Sequence, residues 1–86
     1  MDKEFLVITF NSVNCAMQVE KKLLEDEVDI KTIPTPREIS NSCGLAIMTS
    51  LDNYDYVLEK KEEGLNILHL WKYYKGKEIK KAELLN

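Results

Sequence analysis

The sequence has no apolar run of the length that a membrane span needs, which is about 20 residues. Residues 1–10 also lack the basic start, long apolar middle and small-residue cleavage site of a secretory signal. These two absences predict a cytoplasmic protein that makes no membrane contact. In a reducing compartment, its cysteines are expected to stay free thiols.

Cysteine and histidine are scarce. The chain has two cysteines, Cys15 and Cys43, and one histidine, His69. They are too few and too far apart for a recognisable metal-site pattern, so we expect no metal and no resident cofactor. A triad-type hydrolase is also poorly supported, because no histidine lies near Cys43 in the sequence.

Basic charge is in short supply as well. Twelve basic residues face fifteen acidic ones, for a formal net charge of −3. This balance argues against nucleic-acid binding, since phosphate contacts need a basic face. The 86 residues predict a single domain over 1–75 and a charged C-terminal extension over 76–86. A core this small leaves no room for a deep active site, so any site should lie at a rim or edge.

The hydrophobic pattern predicts the order strand, helix, strand, strand, helix, strand. The predicted strands cover 4–10, 30–33, 44–49 and 66–74, and the predicted helices cover 13–26 and a segment that starts near Asp52 and stops at Gly64. This order is typical of the α+β ferredoxin-like fold, βαββαβ. We expect a four-stranded antiparallel sheet with both helices on one face. An exposed edge strand would also allow a homodimer.

The most informative segment joins the second and third predicted strands. It contains two prolines, one arginine, a cluster of small polar residues, a cysteine and a glycine: Pro34, Pro36, Arg37, Ser40, Asn41, Ser42, Cys43 and Gly44. A purely structural connection would not need so many unusual side chains. The pattern from Thr35 to Glu38 predicts a capping box and one helical turn over 36–40.

This segment favours a reactive thiol at Cys43. An ordinary cysteine has a pKa near ~8.5, and lowering it by two units takes about 2.7 kcal/mol of thiolate stabilisation. Arg37, the backbone N–H groups of a turn and the Ser40 and Ser42 hydroxyls are the available donors. Gly44 lets the next backbone unit bend or be approached closely. The alternative is that Cys43 is a small packing residue.

Two further features have less specific interpretations. Cys15 falls in the first turn of the first predicted helix, where the helix dipole favours a thiolate, although packing or partial exposure explains it better. In the predicted sheet the third strand starts beside the end of the first, so Cys15 and Cys43 could be neighbours. His69, Trp71 and Tyr73 share one face of the last predicted strand, which favours packing over a ligand platform.

Several of these residues resemble a known family. Ile8-Thr9-Phe10, a helix with Ala16 and Glu20, and the run from Ile33 to Ser40 with Ser42-Cys43-Gly44 resemble the selenium/sulfur carrier protein-like family of small bacterial domains. The resemblance extends from about residue 5 to residue 49. It implies a cysteine that carries sulfur or selenium as a persulfide or selenopersulfide.

By position, the resemblance makes Cys43 the residue that bears the atom. The surrounding motif positions are Pro34, Pro36, Arg37, Ser40, Ser42 and Gly44, and Cys15 lies outside the motif. The implied function is a relay between a cysteine desulfurase-like donor and an unknown acceptor protein, rather than a self-sufficient enzyme. Two alternatives stay open: a small-ligand or protein-binding module, and a redox sensor that uses Cys15 with Cys43.

Overall fold

The computed structural model describes residues 3–39, 44–76 and 79–86. These residues form five strands, two α-helices and one 3-10 turn. In chain order they are β1 (Lys3–Thr9), α1 (Val13–Glu25), β2 (Ile30–Pro34), β3 (Leu45–Ser50), the 3-10 turn (Leu51–Asn53), α2 (Tyr54–Glu62), β4 (His69–Lys75) and β5 (Lys80–Leu84). Neither of the described helices is long and apolar enough to cross a membrane.

The strands form one sheet in the order β2-β3-β1-β4-β5, and every neighbouring pair is antiparallel. The predicted α+β class is confirmed. The predicted number of four strands is wrong, because β5 extends the sheet beyond β4, with Tyr73 opposite Ala82. The ferredoxin-like layout is therefore only roughly consistent with the structure.

Helix α1 forms where the sequence pattern predicted it. The Ser12 side chain caps it by accepting the Cys15 N–H at 3.3 Å, which satisfies one backbone donor that the first turn leaves free. Ala16, Val19 and Leu23 recur at helical spacing and are all buried. Burial of this stripe, more than helix propensity, holds the helix on the sheet.

Both helices pack on the same face of the sheet, here called the helix face. Leu6 and Ile8 of β1 are fully buried there with Val19 and Leu23 of α1 and Val57 of α2. Successive strand residues point to opposite faces. Val7 therefore points away from the helices.

Neither of the two described helices covers the opposite face of the sheet, here called the open face. Its core is a small cluster of Val7, Ala46 and Tyr73. Ile33 and Ile39 pack against this cluster. Ile39 belongs to the connection between β2 and β3, so the described part of this connection around Ile39 lies over the open face.

Candidate functional site

The connection between β2 and β3, here called the motif loop (residues 35–44), is anchored at both of its ends. Pro34 pairs with Leu45 at the end of the strand ladder. The Thr35 N–H then donates to the Gly44 carbonyl at 3.0 Å. The added hydrogen bond brings the two ends of the loop together and fixes the position of Gly44.

The first half of the motif loop is a tight turn. The Ile39 N–H donates to the Pro36 carbonyl at 3.0 Å. The predicted capping box is wrong, because the Thr35 N–H is already bonded to Gly44 and the Glu38 carboxylate faces the sheet. There Glu38 accepts the Tyr73 hydroxyl at 3.0 Å. A contact between distant parts of the chain has replaced the local one.

Two contacts seat this turn on the open face. The Ile39 side chain packs on the cluster formed by Val7, Ala46 and Tyr73. The hydrogen bond from Tyr73 to Glu38 lies beside it. One apolar and one polar contact therefore fix this turn relative to β1, β3 and β4.

The contact between Tyr73 and Glu38 predicts a late alkaline titration. Burial, reinforced by the Glu38 carboxylate, raises the pKa of Tyr73 from 10.0 to about 12. The stabilisation that comes from neutral Tyr73 is complete below pH 10 and is lost as the pH rises through about 12. Burial and Asp26 also raise the pKa of Tyr56 to about 12.

Tyrosinate absorbance during an alkaline titration of the wild-type protein should therefore show a late phase to which Tyr73 and Tyr56 both contribute. Tyr73→Phe should remove the first contribution, and Tyr56→Phe, the matched control on α2, should remove the second. A late phase of unchanged amplitude in the Tyr73→Phe protein would show that the loop is not seated on Tyr73.

A cavity of about 320 Å³ lies between the motif loop and the junction of β1 with α1. The loop contributes Thr35, Ile39 and Gly44 to its wall. The other lining residues are Thr9, Phe10, Asn11, Ser12, Val13, Leu45, Leu68, His69 and Trp71. The volume is at the small end of the range for ligand sites in proteins. Apart from His69, no ionisable side chain contributes to this described lining.

The wall formed by β4 is held by polar and aromatic contacts. The Trp71 indole N–H donates to Thr9 Oγ1 at 3.0 Å. The Thr9 hydroxyl donates to the His69 carbonyl at 3.4 Å. The His69 and Trp71 rings meet edge to face, with centroids 6.1 Å apart. Sequence reasoning favoured packing for both residues, and it missed that they also line a cavity.

The structure shows the positions of some, but not all, of the predicted site residues. Ser40, Ser42 and Cys43 lie outside the described residues. Gly44, which one peptide bond joins to Cys43, lines the cavity. A Cβ atom on Gly44 would lie 3.6 Å from Thr35 Oγ1, which is an ordinary contact. Steric crowding by the described residues therefore does not require glycine at this position.

The remaining predicted residues fall into two places. Pro34, Pro36 and Arg37 line an open cleft on the other side of the motif loop. Cys15 is half-buried in the first turn of α1 and is not part of the cavity wall. Its pairing with Cys43 stays a prediction. Among residues 3–39, 44–76 and 79–86, no group of three or more His, Cys, Asp or Glu side chains could hold a metal ion.

Comparison with known proteins identifies the family. Residues 5–72 match the family model described as "Putative Se/S carrier protein-like". Because the match covers well over half of the chain, the protein belongs to this family, and the resemblance found from the motif is confirmed. No curated protein and no solved structure gives a significant match.

Proposed function

We propose that this protein carries sulfur or selenium on Cys43 between a cysteine desulfurase-like donor and an acceptor protein. Membership of the Se/S carrier protein-like family is the observation that carries this proposal. The geometry of the motif loop supports it. Both ends of the loop are anchored, and Gly44, the neighbour of Cys43 in the chain, lies in the wall of a cavity.

The proposed transfer needs no metal and no net oxidation. The Cys43 thiolate attacks the terminal sulfur of a donor persulfide, a new S–S bond forms on Cys43, and the donor cysteine leaves as a thiolate. In the second step, an acceptor thiolate attacks the terminal sulfur and Cys43 is released as a thiolate. Selenium follows the same course through an S–Se bond. Each step depends on access to one atom more than on an enclosed pocket.

The cavity beside Gly44 suits such a terminal atom. Its apolar wall includes Leu68 and Trp71, and its polar wall includes Ser12 at the start of α1. Backbone N–H groups at a helix start carry partial positive charge, which favours an anionic persulfide. Because the described lining has no carboxylate, it places no fixed negative charge against that anion.

The same cavity favours a second function, a small-ligand binding module in which Cys43 only packs. Alkylation of the thiols separates the two functions. The Cys15→Ser protein keeps Cys43 alone, and the Cys43→Ser protein keeps Cys15 as the matched control. If the protein is a carrier, Cys43 should react with iodoacetamide at least as fast in the native protein as in denaturant. A Cys43 that reacts only after denaturation would instead support the binding module.

A further inference from the structure

Charged residues are distributed unequally between the two faces of the sheet. Lys31 pairs with Met48, which pairs with Val7, so Lys31 lies on the open face. Lys75 follows Tyr73 by two residues and pairs with Lys80, so both of these lysines share that face.

Strand carboxylates are found only on the other side. Glu4 precedes Leu6 by two residues, and Glu83 pairs with Lys72 of β4, which pairs with Leu6. Both carboxylates therefore lie on the helix face. No Asp or Glu occupies an open-face position in any of the five described strands. In a chain of net charge −3, the open face of the sheet is basic.

The lysines of the open face meet the motif loop in one open cleft of about 570 Å³. Four cationic residues line this basic cleft: Lys31, Arg37, Lys75 and Lys80. All four are exposed, and none forms an ion pair within the part of the chain that the structure describes. The one carboxylate in the lining, Glu38, accepts the Tyr73 hydroxyl.

The spacing of these cations favours an extended partner over a small anion. Lys31 is on β2 and Lys80 is on β5, at opposite edges of the sheet. Four strand spacings separate these edges, which is about 19 Å. A single phosphate or carboxylate is too small to contact the whole set. A segment with several acidic side chains can contact all of it.

The floor of the basic cleft favours a polypeptide over a nucleic acid. Ile33, Pro34, Pro36, Met48 and Tyr73 contribute to its lining. A duplex nucleic acid presents its charged backbone and keeps its bases stacked inside, and Tyr73, at 6% exposure, offers little ring surface to the bases of a single strand. A peptide can bury apolar side chains between its acidic ones. Electrostatic complementarity of this kind mainly sets the association rate and the choice of partner.

We propose that the basic cleft docks an acidic surface segment of the protein that donates sulfur or selenium to this chain or receives it. The identity of the partner rests on the proposed function. The charge and shape of the cleft are observed independently of that function. Docking there would bring the partner against Arg37 and the motif loop that leads to Cys43.

The test uses three variants with the same change in net charge: two in the basic cleft and one outside it. Lys80 and Lys81 are exposed neighbours on β5, and their side chains lie on opposite faces. The probe is a short labelled peptide of alternating glutamate and leucine residues. Lys80→Glu should weaken its binding about fivefold, as should Lys31→Glu at the other edge, while Lys81→Glu should leave binding nearly unchanged. Equal weakening by Lys80→Glu and Lys81→Glu would overturn the proposal, because net charge alone would explain it.

Competition against the labelled peptide identifies the kind of partner that binds in the basic cleft. The proposal of a protein partner would be overturned if inorganic phosphate or duplex DNA displaced the labelled peptide more effectively than unlabelled peptide does. Concentration-dependent self-association that Lys80→Glu abolishes would do the same, since the cleft would then bind a second copy.

The Cys43→Ser protein should bind the peptide normally. A wild-type protein that binds the peptide but never takes up sulfur would refute the carrier function and leave the docking surface intact.

Discussion

Replacement of Leu23 by alanine is expected to lower the free energy of unfolding by about 3 kcal/mol. Leu23 is fully buried between α1 and the sheet, in the cluster that contains Leu6 and Ile8. Removing its side chain loses apolar burial and leaves a cavity that rigid neighbours fill only in part. In a domain of this size the loss is a large share of the total stability, which is about 4–13 kcal/mol.

Leu24→Ala is the matched control for this prediction. Leu24 is the next residue of the same helix, but 55% of its surface is exposed. Its replacement should change stability by no more than about 0.5 kcal/mol. Urea unfolding of both variants measures the difference. Similar losses in the two proteins would contradict the assigned orientation of α1, and with it the placement of Ser12 at the cavity.

Ile39→Asp is expected to detach the Ile39 end of the motif loop from the open face and to lower the free energy of unfolding by about 2 kcal/mol. The substitution removes an apolar contact on Val7, Ala46 and Tyr73 and places a carboxylate against these three side chains, none of which can neutralise it. Trp71, the one tryptophan of the chain, lines the same cavity as Ile39. When Ile39 leaves the open face, the cavity loses part of its wall, Trp71 becomes more exposed to water and its emission should shift to the red.

The control for this variant is Ile79→Asp, which introduces the same charge at an isoleucine that is 53% exposed. It should leave both the Trp71 emission and the unfolding midpoint nearly unchanged. If Ile39→Asp behaves like Ile79→Asp, Ile39 does not hold the loop, and the cavity depends on other contacts.

The periodic elements could be predicted from the sequence, because their signals are local. The apolar stripe of α1 is complete in Ala16, Val19 and Leu23, and Ser12 marks its start. β5 could not be predicted in this way. Only Ala82 and Leu84 are apolar within Lys80–Leu84, and the strand is stabilised by its pairing with β4.

The sequence could predict which segment of the chain forms the candidate site. It could not predict which surface of the folded protein that segment contacts. Its unusual composition marked the motif loop, but the position of the loop depends on contacts between residues far apart in the chain. Glu38 meets Tyr73 across 35 positions, and no local pattern encodes that hydrogen bond. The local capping pattern was misleading, because the Thr35 N–H donates to the Gly44 carbonyl and is not left for Glu38.

The basic cleft could be recognised only once the register of the strands was known. In the sequence, Lys31, Arg37, Lys75 and Lys80 look like ordinary solvated charges among many carboxylates. Only the strand pairings from β2 across to β5 place the three lysines on one face. Arg37 joins them in the cleft from the motif loop. The overall net charge of −3 gives no sign of this local basic surface, because it sums charges that the fold places on different faces.

The most direct test of the account is to locate the transferred atom. The protein is incubated with a cysteine desulfurase and cysteine, the products are trapped by alkylation, and the masses of the peptides that contain Cys15 and Cys43 are measured. The account predicts one added sulfur on the Cys43 peptide and none in the Cys43→Ser protein. Added sulfur on Cys15 alone, or on neither cysteine, would contradict it.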